Sequence, residues 1–195
     1  LRMQWRGYLF VFSFFMLKNK QYLIKITVTA ILAVTSLILN RFLSLNVWNL
    51  SIGFAFVPVI ICGLLFGPFW GGVCGGLADF IGALLFPFGP YFVGFTITAF
   101  LSGVFLGMPS LFSKNIKKPF VFSLYCFGFF LINEIVCTLT LNTLWIKLLY
   151  SGEFVPLLIT RIPKSVFDLV IGVSFGVFAQ FSIVPPIRKV LARNS

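Results

Sequence analysis

Long apolar runs separated by short polar interruptions fill the chain from Tyr22 onward. Polar residues do not alternate with apolar ones inside these runs, so the pattern predicts membrane helices rather than barrel strands. Six spans follow: Tyr22 to Leu39 or Phe42, Ile52–Phe66, Phe69–Phe86, Gly94–Phe112, Phe120–Leu141 and Ile162–Val184. The second has fifteen residues, about 22 Å at a helical rise of ~1.5 Å per residue. It is short for a crossing and needs its ends shielded by neighbours. Gly67-Pro68, between the second and third spans, leaves room only for an antiparallel hairpin.

The stretch Gly71–Gly107 organises the rest. Two runs rich in Gly, Ala and Ser offer faces for close helix packing. They are broken at Pro87-Phe88-Gly89-Pro90-Tyr91, where two prolines exclude a helix. The rings of Phe86, Phe88, Tyr91, Phe92 and Phe95 gather there, as at the mouth of a binding site. Asp79, a lone carboxylate in the first run, is expected to face the bundle interior or a polar cavity.

Upstream, Arg2 and Arg6 precede an apolar run, Tyr8–Leu17, that is too short to span. Met16 followed by Leu17-Lys18-Asn19-Lys20 reads as a more natural start. Residues 1–17 are therefore set apart as an extension or surface-lying segment, and 18–195 form one six-helix membrane domain.

Composition agrees with this class: 59% of residues are hydrophobic, 10% are charged, and the mean hydropathy is +1.07. The net charge of +11 does not indicate nucleic acid, because membrane proteins gather Lys and Arg in cytoplasmic connections. One side holds nine basic residues: Lys18, Lys20, Lys25, Lys114, Lys117, Lys118, Arg188, Lys189 and Arg193. The other holds four, Arg41, Lys147, Arg161 and Lys164. Both termini are thus expected inside. The external connections are then Arg41–Ser51, Pro87–Val93 and Asn142–Arg161, and their basic residues suit an anionic ligand arriving from outside.

The absence of histidine removes Ser-His-Asp and Cys-His catalysis and most zinc sites. Cys62, Cys74, Cys126 and Cys137 lie in apolar runs without CxxC spacing and read as packing residues. Of the four acids, Glu153 reads as a solvated loop residue, whereas Asp79, Glu134 and Asp168 fall within spans. Lys164 and Asp168 are spaced to pair on one helix face. No phosphate-binding glycine loop and no repeat between halves is present, so neither nucleotide binding nor a repeated carrier architecture is indicated. Thr29 and Ala33, with Ala30 and Ser36 nearby, give the first span a small-residue face that suits a partner helix or internal packing.

These residues resemble the substrate-binding (S) components of energy-coupling factor (ECF) vitamin transporters, specifically the folate type. The resemblance covers Leu17 to Arg193 and rests on IGFAFVPVIICGLLFGPFWGG (Ile52–Gly72), ADFIGALLFPFGPYFVGFTITAFLSG (Ala78–Gly103), LNTLWIKLLYSGEF (Leu141–Phe154) and Arg161-Ile162-Pro163-Lys164. It implies an all-α, six-helix integral membrane protein with both termini inside, and no enzyme or cofactor. Its site would be built from external loops one, three and five. It further implies docking, through the small-residue face of the first helix (Thr29, Ala30, Ala33), on a shared transmembrane subunit that carries two ATPase subunits. Thr29 stands where alanine is common in that family.

Folate or a reduced folate fits the residues. A flat pterin stacks on Trp145, Tyr91 or Phe92, and Asn142 or a carboxylate reads its edge. The dianionic tail suits Arg41 and Arg161, with Lys164 at the start of the same last span. Asp79 belongs to a segment found in S components of several specificities and reads as structural. The alternatives are an S component for another vitamin or precursor and a free-standing secondary carrier.

Overall fold

The computed structural model describes residues 20–47, 50–87, 89–113, 116, 118–150 and 154–194. The segment 1–17, Lys18, Phe88, Lys114, Lys117 and Glu153, all assigned roles above, lie outside the described residues.

Apart from one small hairpin, the described chain is helical. Helix α1 runs Lys20–Phe42, and the hairpin pairs β1 (Leu45–Val47) with β2 (Leu50–Ile52) antiparallel, Leu45 opposite Ile52. Then come α2 (Phe56–Phe66), α3 (Pro68–Leu85), α4 (Val93–Gly107) with a 3-10 turn at Met108–Leu111, and α5 (Pro119–Asn133). A π-wound segment, Glu134–Leu141, leads into α6 (Asn142–Tyr150). Helix α7 (Phe154–Phe178) passes through a second π-wound turn, Ala179–Ile183, into α8 (Val184–Asn194). Five of these stretches are long and apolar enough to cross a membrane.

The second span was expected from Ile52, but Ile52 belongs to β2 and the helix starts at Phe56. The chain turns at Gly53, where a Cβ would lie 2.7 Å from Ser44 Cβ, so the hairpin closes back on the end of α1. A larger correction concerns the connection expected over Asn142–Arg161. Both of its flanks are helical, through Tyr150 on one side and from Phe154 on the other. Pro156 stands in the first turn of α7, where a missing N–H removes no helical bond. Pro163 lies inside α7, tolerated where neighbouring helices re-satisfy the freed backbone. The fifth and sixth spans are correspondingly longer than expected, Pro119–Leu149 and Val155–Leu191.

Helices α2 and α3 meet at Gly67, whose φ of 103° is readily adopted only by glycine. Pro68 then opens α3, where its fixed φ suits a helix start. Helix α3 lies flush against α4. A Cβ on Gly71 would sit 2.5 Å from Gly103 O, so the two backbones touch where any side chain would part them. The buried core runs through Ile60, Cys62, Leu64, Cys74, Leu106, Phe122, Cys126 and Phe130. All four cysteines are buried and free. At the far end Arg188 Nη2 donates to Leu64 O at 2.7 Å, tying α8 to the last turn of α2. Large apolar side chains such as Phe120, Leu124 and Val170 point outward, as lipid requires.

Candidate functional site

Five elements converge on a cavity of about 230 Å³: the end of α1, the last turns of α3, the proline connector, the first turn of α4 at Phe95, and α6. Arg41 enters from α1, Asp79 and Ala83 from α3, Pro87, Pro90, Tyr91 and Phe92 from the connector, and Ile146 from α6. The guanidinium lies along a gap in α3, since a Cβ on Gly82 would stand 3.0 Å from Arg41 Nε. Gly82 therefore leaves the slot in which the arginine lies.

A short polar chain fixes the wall opposite. Thr96 Oγ1 donates to Asp79 Oδ2 at 2.8 Å and lies 3.3 Å from the Tyr91 hydroxyl. With its only proton committed to the carboxylate, Thr96 accepts from Tyr91, giving Tyr91 to Thr96 to Asp79. Asp79 thus anchors the connector's tyrosine through α4, which accounts for a carboxylate in a membrane helix.

Trp145 forms a second wall. Its ring lies 5.4 Å from that of Phe92, centroid to centroid, at 56°. Its indole N–H donates to Thr98 Oγ1 at 2.9 Å, and Thr98 in turn donates to Gly94 O at 2.9 Å. A Cβ on Gly94 would stand 2.9 Å from Trp145 Cδ2, so the missing side chain gives the indole its seat on α4. Trp145 was expected in an external loop. It stands instead on α6, where a helix holds it more rigidly than a loop would.

The remaining candidates fall elsewhere. Arg161 is buried and its Nη1 donates to Thr138 O at 3.3 Å, against the π-wound segment. Lys164 pairs with Asp168 at 2.6 Å, as their spacing suggested. Asn142 opens α6, one turn before Trp145, and is half-buried. Arg41, Tyr91 and Phe92 share the cavity with Trp145 beside it, while Arg161 and Lys164 lie along α7.

The small-residue face of α1 needs correcting as a docking surface. Thr29 is 2% and Ala33 3% exposed, and Thr29 Oγ1 lies 3.5 Å from Cys62 Sγ. Ser36 on the same face donates to Ala55 O at 2.7 Å. That face packs inside the chain, and of the three residues only Ala30 is exposed. Sequence reasoning also passed over Thr96, Thr98, Gly82 and Gly94. The two threonines were visible as hydroxyls in an otherwise apolar run, but spacing alone did not tell their partners.

The arrangement is that of a multi-pass membrane protein with an arginine- and aromatic-lined recess at one end of its helices. Among the described residues no group of three or more His, Cys, Asp or Glu could hold a metal. The profile of the family "ECF transporter, substrate-specific component" matches residues 24–184, and the chain belongs to that family. It is a transporter's substrate-binding component in the cell membrane, not an enzyme. The chain is 32% identical over 167 residues to the folate transporter FolT of Clostridium novyi (strain NT), covering 85% of this chain and 94% of that one. It is 25% identical over 170 residues to FolT of Leuconostoc mesenteroides subsp. mesenteroides, covering 84% and 89%. A crystal structure of FolT bound with folic acid superposes with a TM-score of 0.69 at 28% identity, covering 80% of this chain and 91% of that one.

Proposed function

We propose that this chain binds folate or a reduced folate and delivers it to an ECF transmembrane subunit that carries two ATPase subunits. The observation carrying the ligand assignment is the likeness to FolT across most of both chains, including FolT bound with folic acid. The recess supports it chemically. A pterin slides against Phe92, Tyr91 and Trp145, of which Tyr91 is already held by Thr96 and Trp145 by Thr98. Asn142, one turn from Trp145, is offered for the ring edge. The glutamate tail meets Arg41, with Arg161 as the second cation. Lys164 would join only by releasing Asp168, so it ranks behind the two arginines. Asp79 holds the wall and does not read the ligand.

In this proposal α2 is the sixth crossing, short but backed by α1, α3 and α4, and both termini are cytoplasmic. The sequence given carries no phosphate-binding glycine loop, so in this proposal the partner subunits supply the energy. With Thr29 and Ala33 packed internally, the outward strip of α1 around Ala30 and Val34 is the surface offered to the transmembrane subunit. Reconstituted uptake of folic acid tests the whole proposal. Uptake that requires ATP and the partner subunits supports it, and uptake by the isolated chain would make it a free-standing carrier.

A further inference from the structure

Trp145 stands beside the recess with its one polar atom already bound. Its indole Nε1 donates to Thr98 Oγ1 at 2.9 Å, a bond from α6 to α4 across 47 residues of sequence. Thr98 is 2% exposed and is not among the residues that line the recess. Its own hydroxyl proton goes to Gly94 O, 2.9 Å away and one turn back in α4. A threonine hydroxyl has one proton and two lone pairs, and an indole N–H can only donate. With its proton held by Gly94 O, Thr98 offers the indole an acceptor and nothing else. The direction of the chain, Trp145 to Thr98 to Gly94, is therefore fixed.

The same turn of α4 seats the rings. A Cβ on Gly94 would lie 2.8 Å from Phe92 Cδ1 and 2.9 Å from Trp145 Cδ2, so both rings use the space of one missing side chain. Phe92 lines the recess and stands against Trp145, with ring centroids 5.4 Å apart. Packing of this kind sets how near the indole comes to α4, but it does not set which edge faces the helix. The second side-chain torsion of a tryptophan is broad and roughly two-fold, so a flipped ring covers a similar area. The flipped ring would carry its N–H away from Thr98. A half-buried donor without an acceptor is costly, and that cost selects the observed edge.

We propose that Thr98 is a positioning residue of the folate site: by accepting the indole proton it fixes the plane and the facing edge of Trp145. The assignment rests on the folate reading above and adds what holds the stacking wall ready before the ligand arrives. Thr98 itself touches no ligand. With the N–H committed to α4, the Trp145 wall meets a flat heterocycle by its face and makes no hydrogen bond to it. Reading of the ring's polar edge is left to other groups around the recess.

The test is a double-mutant cycle on the full chain in lipid nanodiscs, with folic acid affinity read by calorimetry. Thr98→Val replaces the hydroxyl with a methyl of similar size and should weaken folic acid binding by about three- to tenfold, the scale of one neutral hydrogen bond. Thr98→Ser restores the acceptor and should return wild-type affinity. In a Trp145→Phe background a ring remains and the N–H is gone, so Thr98→Val should there cause no further loss. A residue that merely packs would lower affinity equally in both backgrounds, and that result overturns the proposal. Wild-type affinity in Thr98→Val overturns it too. The wild type gives a second reading that does not depend on how Thr98→Val folds. In protein carrying isotope-labelled tryptophan, the Trp145 indole proton, followed by NMR, should exchange slowly with solvent both without and with folic acid. Rapid exchange would overturn the proposal. A wild type that binds no folic acid would remove the folate reading and this assignment with it, whereas binding without coupling between Thr98 and Trp145 removes the assignment alone.

Discussion

Arg41 shows how one side chain depends on what its neighbour lacks. Its guanidinium reaches the recess because Gly82 presents no Cβ, and a methyl there would stand 3.0 Å from Nε. Arg41→Ala should weaken folic acid binding by about 1.5–3 kcal/mol, the range for hydrogen bonds to charged groups, or roughly ten- to 150-fold in Kd. Arg161→Ala should do the same, and isothermal titration calorimetry checks both. Wild-type affinity in both variants would remove the arginine clamp. Trp145 gives a second test at this scale. Quenching of tryptophan fluorescence by folic acid should collapse in Trp145→Ala and persist in Trp70→Ala, because Trp70 packs beside Phe69 and Cys62 at the opposite end of α3. Undiminished quenching without Trp145 would place the ligand elsewhere. The identities of Arg41, Tyr91, Phe92 and Trp145 were legible from charge placement, aromatic clustering and family likeness. Their supports were not. Thr96, Thr98, Gly82 and Gly94 act across helix pairs, and nothing in a linear pattern says which helix lies against which.

At the scale of elements, glycine decides how closely α3 and α4 approach. A valine at Gly71 would drive its Cβ into Gly103 O, a backbone atom that cannot rotate away. Gly71→Val should therefore lower stability by at least the ~1–3 kcal/mol typical of overpacking, read as a reduced thermal midpoint. An unchanged midpoint would mean that the helices separate without cost. The first helix yields a sharper expectation. Thr29→Leu with Ala33→Leu should disturb folding and ligand binding together, since both residues are buried and Thr29 meets Cys62 of α2. Loss of partner assembly with intact binding would return that face to docking. Helix existence was plain in the sequence because each run is continuous and apolar. Helix ends were harder to place: the stretch Asn142–Arg161 was expected as an external connection, and α6 and α7 are helical there on both sides. The π-wound turn at Glu134 left no local mark, although Thr140 Oγ1 donating to Ile135 O at 2.7 Å is one of its consequences.

On the scale of the whole molecule, the bundle is unevenly filled. The α2–α3–α4 side is close-packed through glycines, and its hairpin is pinned at the far end by Arg188. The α5–α7 side carries polar groups and two π-wound segments. The recess lies where these two sides meet a connector that cannot be helical. A rigid half thus holds the Arg41 wall, while α6 brings Trp145 from the other half. Ligand entry should bridge the two halves and stabilise the fold. The central claim, that this recess takes folate, is tested most directly by titrating folic acid into the purified full-length protein in nanodiscs and following heat and tryptophan quenching together. The account predicts saturable binding of one folic acid per chain, weakened at least tenfold by Arg41→Ala. A monodisperse, folded protein that shows neither heat nor quenching at folic acid concentrations of ~100 μM, which reach complexes as weak as about −5.5 kcal/mol, would contradict it.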